Sequence, residues 1–249
     1  MSAAELLERE GEDSLARRCR KTADDWNAQI EAWTFVEDTD TARRYGVRGY
    51  YVRVNPSMGP VQAVKDQCVN IKHHPEGDGV KAVNEIISVD ALALVRFGLR
   101  RADDPRILDT LRVIDGELRR DLPGGPSWRR YTFDGYGENE SGEPFEHIGI
   151  GRCWPLLTGE RAHYEIAAGH FGKAKALFRT MESFSHNGLF PEQVWDADDI
   201  PDKGLFHGLY TGSAMPLTWA QAEYIKLAVS LRQRRVFDLP SAAARRYLK

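Results

Sequence analysis

Cysteine is scarce in this chain of 249 residues: Cys19, Cys68 and Cys153 are the three present, an odd set spread far apart. That excludes a disulfide framework, and the spacing matches no metal site. His73-His74 has no further ligand spaced to join it and reads as a surface loop. Neither a metal nor a cofactor is expected. Long apolar runs are also missing. No segment approaches the roughly 20 consecutive apolar residues of a membrane-spanning helix. A charge of one sign is lacking too. Lys and Arg number 34 against 37 Asp and Glu, a net charge of −3 mixed along the chain. This excludes the basic footprint of a dedicated nucleic-acid binder. The opening Met1-Ser2-Ala3-Ala4-Glu5 is charged and helical at once, with no signal peptide visible; localisation stays open.

Aromatics, by contrast, are plentiful, with six Trp, and two stretches concentrate them beside charge. In Phe190-Pro191-Glu192-Gln193-Val194-Trp195-Asp196, Glu192 stands among aromatic neighbours. A carboxylate partly desolvated by such faces can be tuned for acid or base work. The second stretch is Trp128-Arg129-Arg130-Tyr131-Thr132-Phe133-Asp134-Gly135-Tyr136. Sugar rings stack on Trp and Phe faces, so the pair predicts a carbohydrate-processing site. From the residues alone, an exposed loop acid remains the commoner reading of Glu192.

The hydrophobic pattern is predominantly helical. Leu15, Cys19, Ala23, Trp26, Ile30 and Trp33 recur at three- and four-residue steps, predicting a helix with one apolar stripe. An irregular stretch follows over residues 34–82, with a short strand at residues 49–54. Further helices are expected at residues 84–100, 105–120, 154–168, 173–184 and 218–235. Asp104 before Pro105 is a cap followed by proline in the first turn, and Thr218 with Gln221 reads as a capping box. Connections alternate long and short. Short breaks make helical hairpins, and stacked hairpins put every long loop on one face, where sites are built. The expected class is all-α, three hairpins in an open arc. Such an arc leaves inner-helix leucines such as Leu92, Leu94, Leu156 and Leu157 in need of cover.

Several segments carry a family resemblance. They are Glu143-Pro144-Phe145, then Gly151-Arg152-Cys153-Trp154-Pro155-Leu156-Leu157-Thr158-Gly159-Glu160-Arg161 with Tyr164-Glu165, then residues 191–196, then Pro216-Leu217-Thr218-Trp219-Ala220. With Trp26, residues 30–34 and residues 50–53, they form an ordered set that resembles glycoside hydrolase family 15, the bacterial glucoamylase and glucodextranase type. The resemblance implies an (α/α)6 barrel of six hairpins, of which residues 1–249 supply about half as one partial catalytic domain. It implies inverting hydrolysis of terminal α-glucosidic bonds, with an α-glucan or oligosaccharide as partner and Glu192 as general base. Arg130 would hold the terminal sugar, with Arg129 its rival. Trp154, Trp219 and Tyr131 would line the pocket, with Tyr136 a weaker candidate. Glu160 and Arg161 are expected to form a buried ion pair, and Glu138 and Glu140 to be loop surface. The family's general acid lies in a Trp- and Glu-containing segment that nothing before Ala16 matches. Glu5, Glu8, Glu10, Glu12 and Asp13 read as a solvated helix face. The missing N-terminal half of the barrel is therefore an expected partner. Two other readings stay open: a sugar-binding or scaffold remnant without catalysis, and an α,α-trehalase of the same fold.

Overall fold

A computed structural model describes residues 1–248. Nine α-helices and three small antiparallel ribbons make up its regular structure. α1 (Ser2–Arg9) and α2 (Asp13–Thr34) pack as a hairpin. α3 (Asp40–Tyr45) is short, and α4 (Leu92–Arg96) shorter still. α5 (Pro105–Glu117), α6 (Pro155–Ala167), α7 (Phe171–Ser183) and α8 (Thr218–Gln233) form the body, and α9 (Ser241–Tyr247) returns to α1. α6 lies between α4 and α8 with α7 packed against both α6 and α8, so it is buried along most of its length. The helices that follow long loops are thus the inner ones, and their N-termini face the loops.

The ribbons pair β1 (Phe35–Glu37) with β2 (Gly49–Tyr51), β3 (Cys68–Asn70) with β4 (Val80–Ala82), and β5 (Arg119–Leu122) with β6 (Gly125–Trp128). Isolated bridges join Trp128 to Trp154, Cys153 to Val194 and Val194 to Tyr210. These bridges tie the long loops to one another, which gives irregular chain a fixed shape.

Two expectations from the sequence are corrected. Residues 84–100 are not one helix. They form 3-10 turns at Val83–Glu85 and Val89–Ala91 before α4, and Gly98, with φ of 73°, turns the chain just after the Phe97 C-cap. The cause is competition for the backbone: Ile86 O accepts from Arg53 N, Ile87 N donates to Thr132 Oγ1, and Ile87 O accepts from Thr132 N. Bonds to neighbouring loops replace the helical ladder. The α2 stripe forms as expected, with Cys19, Ala23, Ile30 and Trp33 half-buried and Leu15 and Trp26 exposed. Thr218 caps nothing, because Leu217 is the N-cap of α8 and the Gln221 amide reaches Gly188 O instead. The Asp104 cap stands, accepting from Arg106 N at 2.9 Å with Pro105 at the first turn.

Leu92, Leu156 and Leu157 are buried within the chain, and Leu94 is half-buried. The uncovered apolar face lies instead on α8. Trp219, Ala222 and Ile225 recur there at three-residue steps, with Trp219 55% and Ile225 62% exposed, while Ala220, Glu223, Leu227 and Ser230 form its buried side. A helix apolar on both sides is ordinarily covered on both. No helix among the described residues is long and apolar enough to cross a membrane.

Candidate active site

The β5–β6 ribbon delivers two adjacent arginines. Each arginine, just beyond the end of β6, finds its own acid. Arg129 makes a two-pronged pair with Asp196, Nε–Oδ2 2.7 Å and Nη2–Oδ1 2.9 Å. Asp196 also accepts from Arg152 Nη1 at 3.2 Å. Burial opposes the Asp196 charge, but Arg129 and then Arg152 hold its carboxyl below the usual range. Arg129 is thereby committed to an internal clamp. Arg130 pairs with the buried Asp134 through Nε and Nη2 at 2.7 and 2.8 Å. Its Nη1 makes no hydrogen bond among the described residues. The guanidinium lies 4.7 Å from the Trp154 ring centre and 5.1 Å from that of Tyr136. Burial opposes its charge too, yet Asp134 keeps it above the ordinary arginine value. Gly151 makes room for this pair: a Cβ there would fall 2.4 Å from Asp134 Cγ.

Glu192 sits on the loop before α8. The residues around it anchor the backbone. Glu192 N donates to Ala214 O at 2.8 Å, and Gln193 N to Ser213 Oγ at 3.0 Å. The fully buried Gln193 amide accepts from Arg152 N at 2.9 Å and donates to Tyr136 O at 3.1 Å. Glu192 itself is left half-buried, with the Tyr136 hydroxyl donating to Oε2 at 3.3 Å. Burial pushes the Tyr136 hydroxyl pKa up, and the Glu192 charge adds to this. The aromatics next to Glu192 in sequence are engaged elsewhere: Phe190 packs on Tyr224 at 5.0 Å and Trp195 lies under Arg152 at 4.0 Å. The ring that meets Glu192 is Tyr136, 56 positions away.

A cleft of about 280 Å³ opens among α4, α6 and α8. Arg130, Trp154, Leu156, Leu157, Glu160 and Trp219 line it. Trp154, the N-cap of α6, is 4% exposed, and its buried indole N–H has no partner among the described residues. The structure therefore brings Arg130, Trp154 and Trp219 into one cleft, with Tyr136 linking Arg130 to Glu192. Tyr131 lines an adjoining cleft of about 510 Å³ with Arg53 stacked on it at 4.3 Å. Arg53 lines both clefts.

Two further expectations fail. Glu160 does not pair with Arg161, which bonds Asp115 at 2.6 Å and Glu165 at 3.1 Å. Adjacent helical positions diverge by about 100°, so Arg161 serves the α5 side while Glu160 faces the cleft. Glu138 is not loop surface; it is buried and accepts from Gly212 N at 2.7 Å, fastening two long loops together. Glu140 is exposed. His73 and His74 clasp loops by bonding His147 O and Phe133 O. No group of three or more His, Cys, Asp or Glu among the described residues is arranged to hold a metal.

Residues 1–229 match the sequence model described as glycosyl hydrolases family 15. The chain belongs to this family. It is 38% identical over 247 residues to a glucoamylase of Clostridium sp. (strain G0005), which covers 99% of this chain and 32% of the relative. Among solved structures, a bacterial glucoamylase complexed with acarbose superimposes with a TM-score of 0.88 at 39% identity, covering 99% of this chain and 34% of that one. A wild-type glycosidase at 19% identity and a TM-score of 0.51 shares the fold, over 92% of this chain and 46% of that one. The architecture is that of a partial (α/α)6 barrel, and the chain spans about a third of the length of the glucoamylases it matches.

Proposed function

We propose that this chain carries the base-bearing, sugar-holding part of an inverting α-glucosidase acting at the non-reducing ends of α-glucans. Glu192 is the general base, activating water on the face of the sugar opposite the leaving group. Inversion requires the acid on the other side, across about 6.5–9.5 Å. The general acid comes from sequence outside residues 1–249, as the family resemblance implies. One observation carries the reading: Tyr136 bonds Glu192 and lies against Arg130, whose guanidinium stacks on Trp154 in a cleft open to solvent. This joins a carboxylate, a fork of donors and an aromatic wall, the groups that orient and attack a sugar ring.

Arg130 and Arg129 are separable by experiment. A hydrogen bond to a charged group is worth about 1.5–3 kcal/mol. Arg130→Ala should therefore weaken maltose binding by about tenfold or more, and because it strands the buried Asp134 it should lower the melting temperature as well. Arg129→Ala should lower the melting temperature while leaving maltose affinity unchanged, since it leaves buried Asp196 with Arg152 alone. Maltose titrations paired with melting curves check this; the opposite pattern would move the sugar contact to Arg129.

The remaining hairpins of the barrel are the proposed partner for the open face of α8. Its Trp219, Ala222 and Ile225 are exposed. The isolated chain is expected to associate as concentration rises, and the N-terminal half supplied in trans should suppress this. Sedimentation velocity reads both; a stable monomer indifferent to the added half would contradict the pairing.

A further inference from the structure

Glu160 is an acid without a partner among the described residues, in a cleft walled in part by Leu156, Leu157 and Trp154. It lies one helical turn, about 6 Å, further along α6 than Leu156, on the same face as Leu156 and Leu157. Its carboxyl makes no hydrogen bond or ion pair among the described residues, and it lines the cleft shared by Arg130, Trp154 and Trp219. The Trp154 indole N–H of the same lining is also unpartnered. Polar groups left without protein partners beside apolar walls are ordinarily satisfied by a ligand or by water.

The surroundings decide the charge state. Glu223 on α8 is fully buried and ionised, clamped by Arg96 of α4 and by His163 of α6. Burial pushes the Glu160 carboxyl up to about 7, and the nearby Glu223 charge adds to this. Asp90, from the turn before α4, acts in the same direction, while Arg96 and Lys226 of α8 oppose it. Arg53 and Arg130 stand on the cleft wall. Two carboxyl groups are thus driven apart, one ionised and structural, the other neutral below about pH 7 and open to the cleft. A neutral carboxyl both donates and accepts a hydrogen bond. That suits an uncharged polyol better than a cation, which would call for the ionised form.

We infer that Glu160 is a substrate-binding residue of this cleft, its carboxyl group donating a hydrogen bond to a hydroxyl of the sugar held against Trp154. This rests on the carbohydrate reading proposed above and deepens it. Arg130 holds one part of the ring from the rim, and Glu160 reaches another from the floor.

Maltose titration followed by tryptophan fluorescence, at pH 6 and pH 8.5, tests this on the chain itself. The unmodified chain should lose affinity about threefold or more between the two, as the donor proton is lost. Glu160→Gln keeps a donor and an acceptor at both pH values, so it should bind near the pH 6 affinity throughout. Glu160→Ala should bind about three- to tenfold more weakly at pH 6 and show no pH slope. A residue serving only to support the fold would give neither the flat glutamine profile nor its rescue of affinity. If the alanine variant does not fold, the glutamine profile decides alone. Unchanged affinity and slope in both variants, or a glutamine variant that keeps the slope, would overturn the assignment while leaving the sugar site intact. No maltose binding by the unmodified chain would remove the carbohydrate reading, and this assignment with it.

Discussion

On α-glucosyl fluoride, Glu192→Gln is expected to slow fluoride release by this chain about 10²–10⁴-fold, the usual weight of one general acid or base. Fluoride departs without being protonated, so this substrate isolates the base step from the acid step. Maltose is different, because its leaving sugar is a poor alkoxide and needs an acid partner. The chain should therefore turn over the fluoride while leaving maltose nearly intact. The first product should be β-glucose, since water attacks the face opposite the departing group. The amide of glutamine keeps the shape of the side chain and its contact with the Tyr136 hydroxyl but cannot take a proton. Fluoride release followed by ion electrode, with the product anomer read by NMR, gives both answers. Unchanged release in the glutamine variant would move the base elsewhere. Rapid maltose hydrolysis that also depends on Glu192 would mean that a carboxyl within residues 1–249 supplies the acid.

Glu223→Ala is expected to destabilise the chain by about 3–5 kcal/mol, the cost of breaking a buried ion pair from one side. Glu223 and Arg96 are held by two parallel bonds of 2.9 and 3.0 Å, with side chains 0% and 8% exposed. His163 Nδ1 lies 2.7 Å from the same carboxylate. Removing it takes the shared carboxylate from Arg96 and His163 among three inner helices, α4, α6 and α8, and leaves Arg96 with Asp238 alone, Nε–Oδ1 3.0 Å and Nη2–Oδ2 2.8 Å. Against a typical total of about 5–15 kcal/mol, that is a large share. The pH dependence has a definite sign. Burial opposes the Glu223 charge, but His163 and Arg96 lower its pKa from the ordinary 4.5 to about 2. The stabilisation is present above pH 4.5 and is lost as pH falls toward 2. Urea unfolding at pH 7 and pH 3 should show a gap between parent and variant that narrows in acid. A loss below about 1 kcal/mol at pH 7 would show that the network is not what joins the three helices.

The sequence by itself determined the helical class, because three- and four-residue periodicity is written locally in the side chains. It determined most helix starts for the same reason, as at Asp104-Pro105. It also determined that Glu192, Arg130, Trp154 and Trp219 were the residues to watch, through an ordered set of segments resembling one family. Where neighbours compete for the same backbone, local pattern was insufficient: residues 83–91 turned to the loops around Arg53 and Thr132 instead of extending α4. Pairing between charges was likewise beyond it. Arg129 and Arg130 are indistinguishable as letters, and only the folded loops gave Asp196 to one and Asp134 to the other. Arg161 chose Asp115 over the adjacent Glu160 because helical neighbours point about 100° apart. Tyr136, weighed lightly in the sequence, became the link between Glu192 and Arg130 once two long loops were folded together. Burial decided the rest. Whether a carboxyl is ionised depends on which charges surround it in space, and only the packing of α4, α6 and α8 made Glu223 a clamp and left Glu160 open to the cleft.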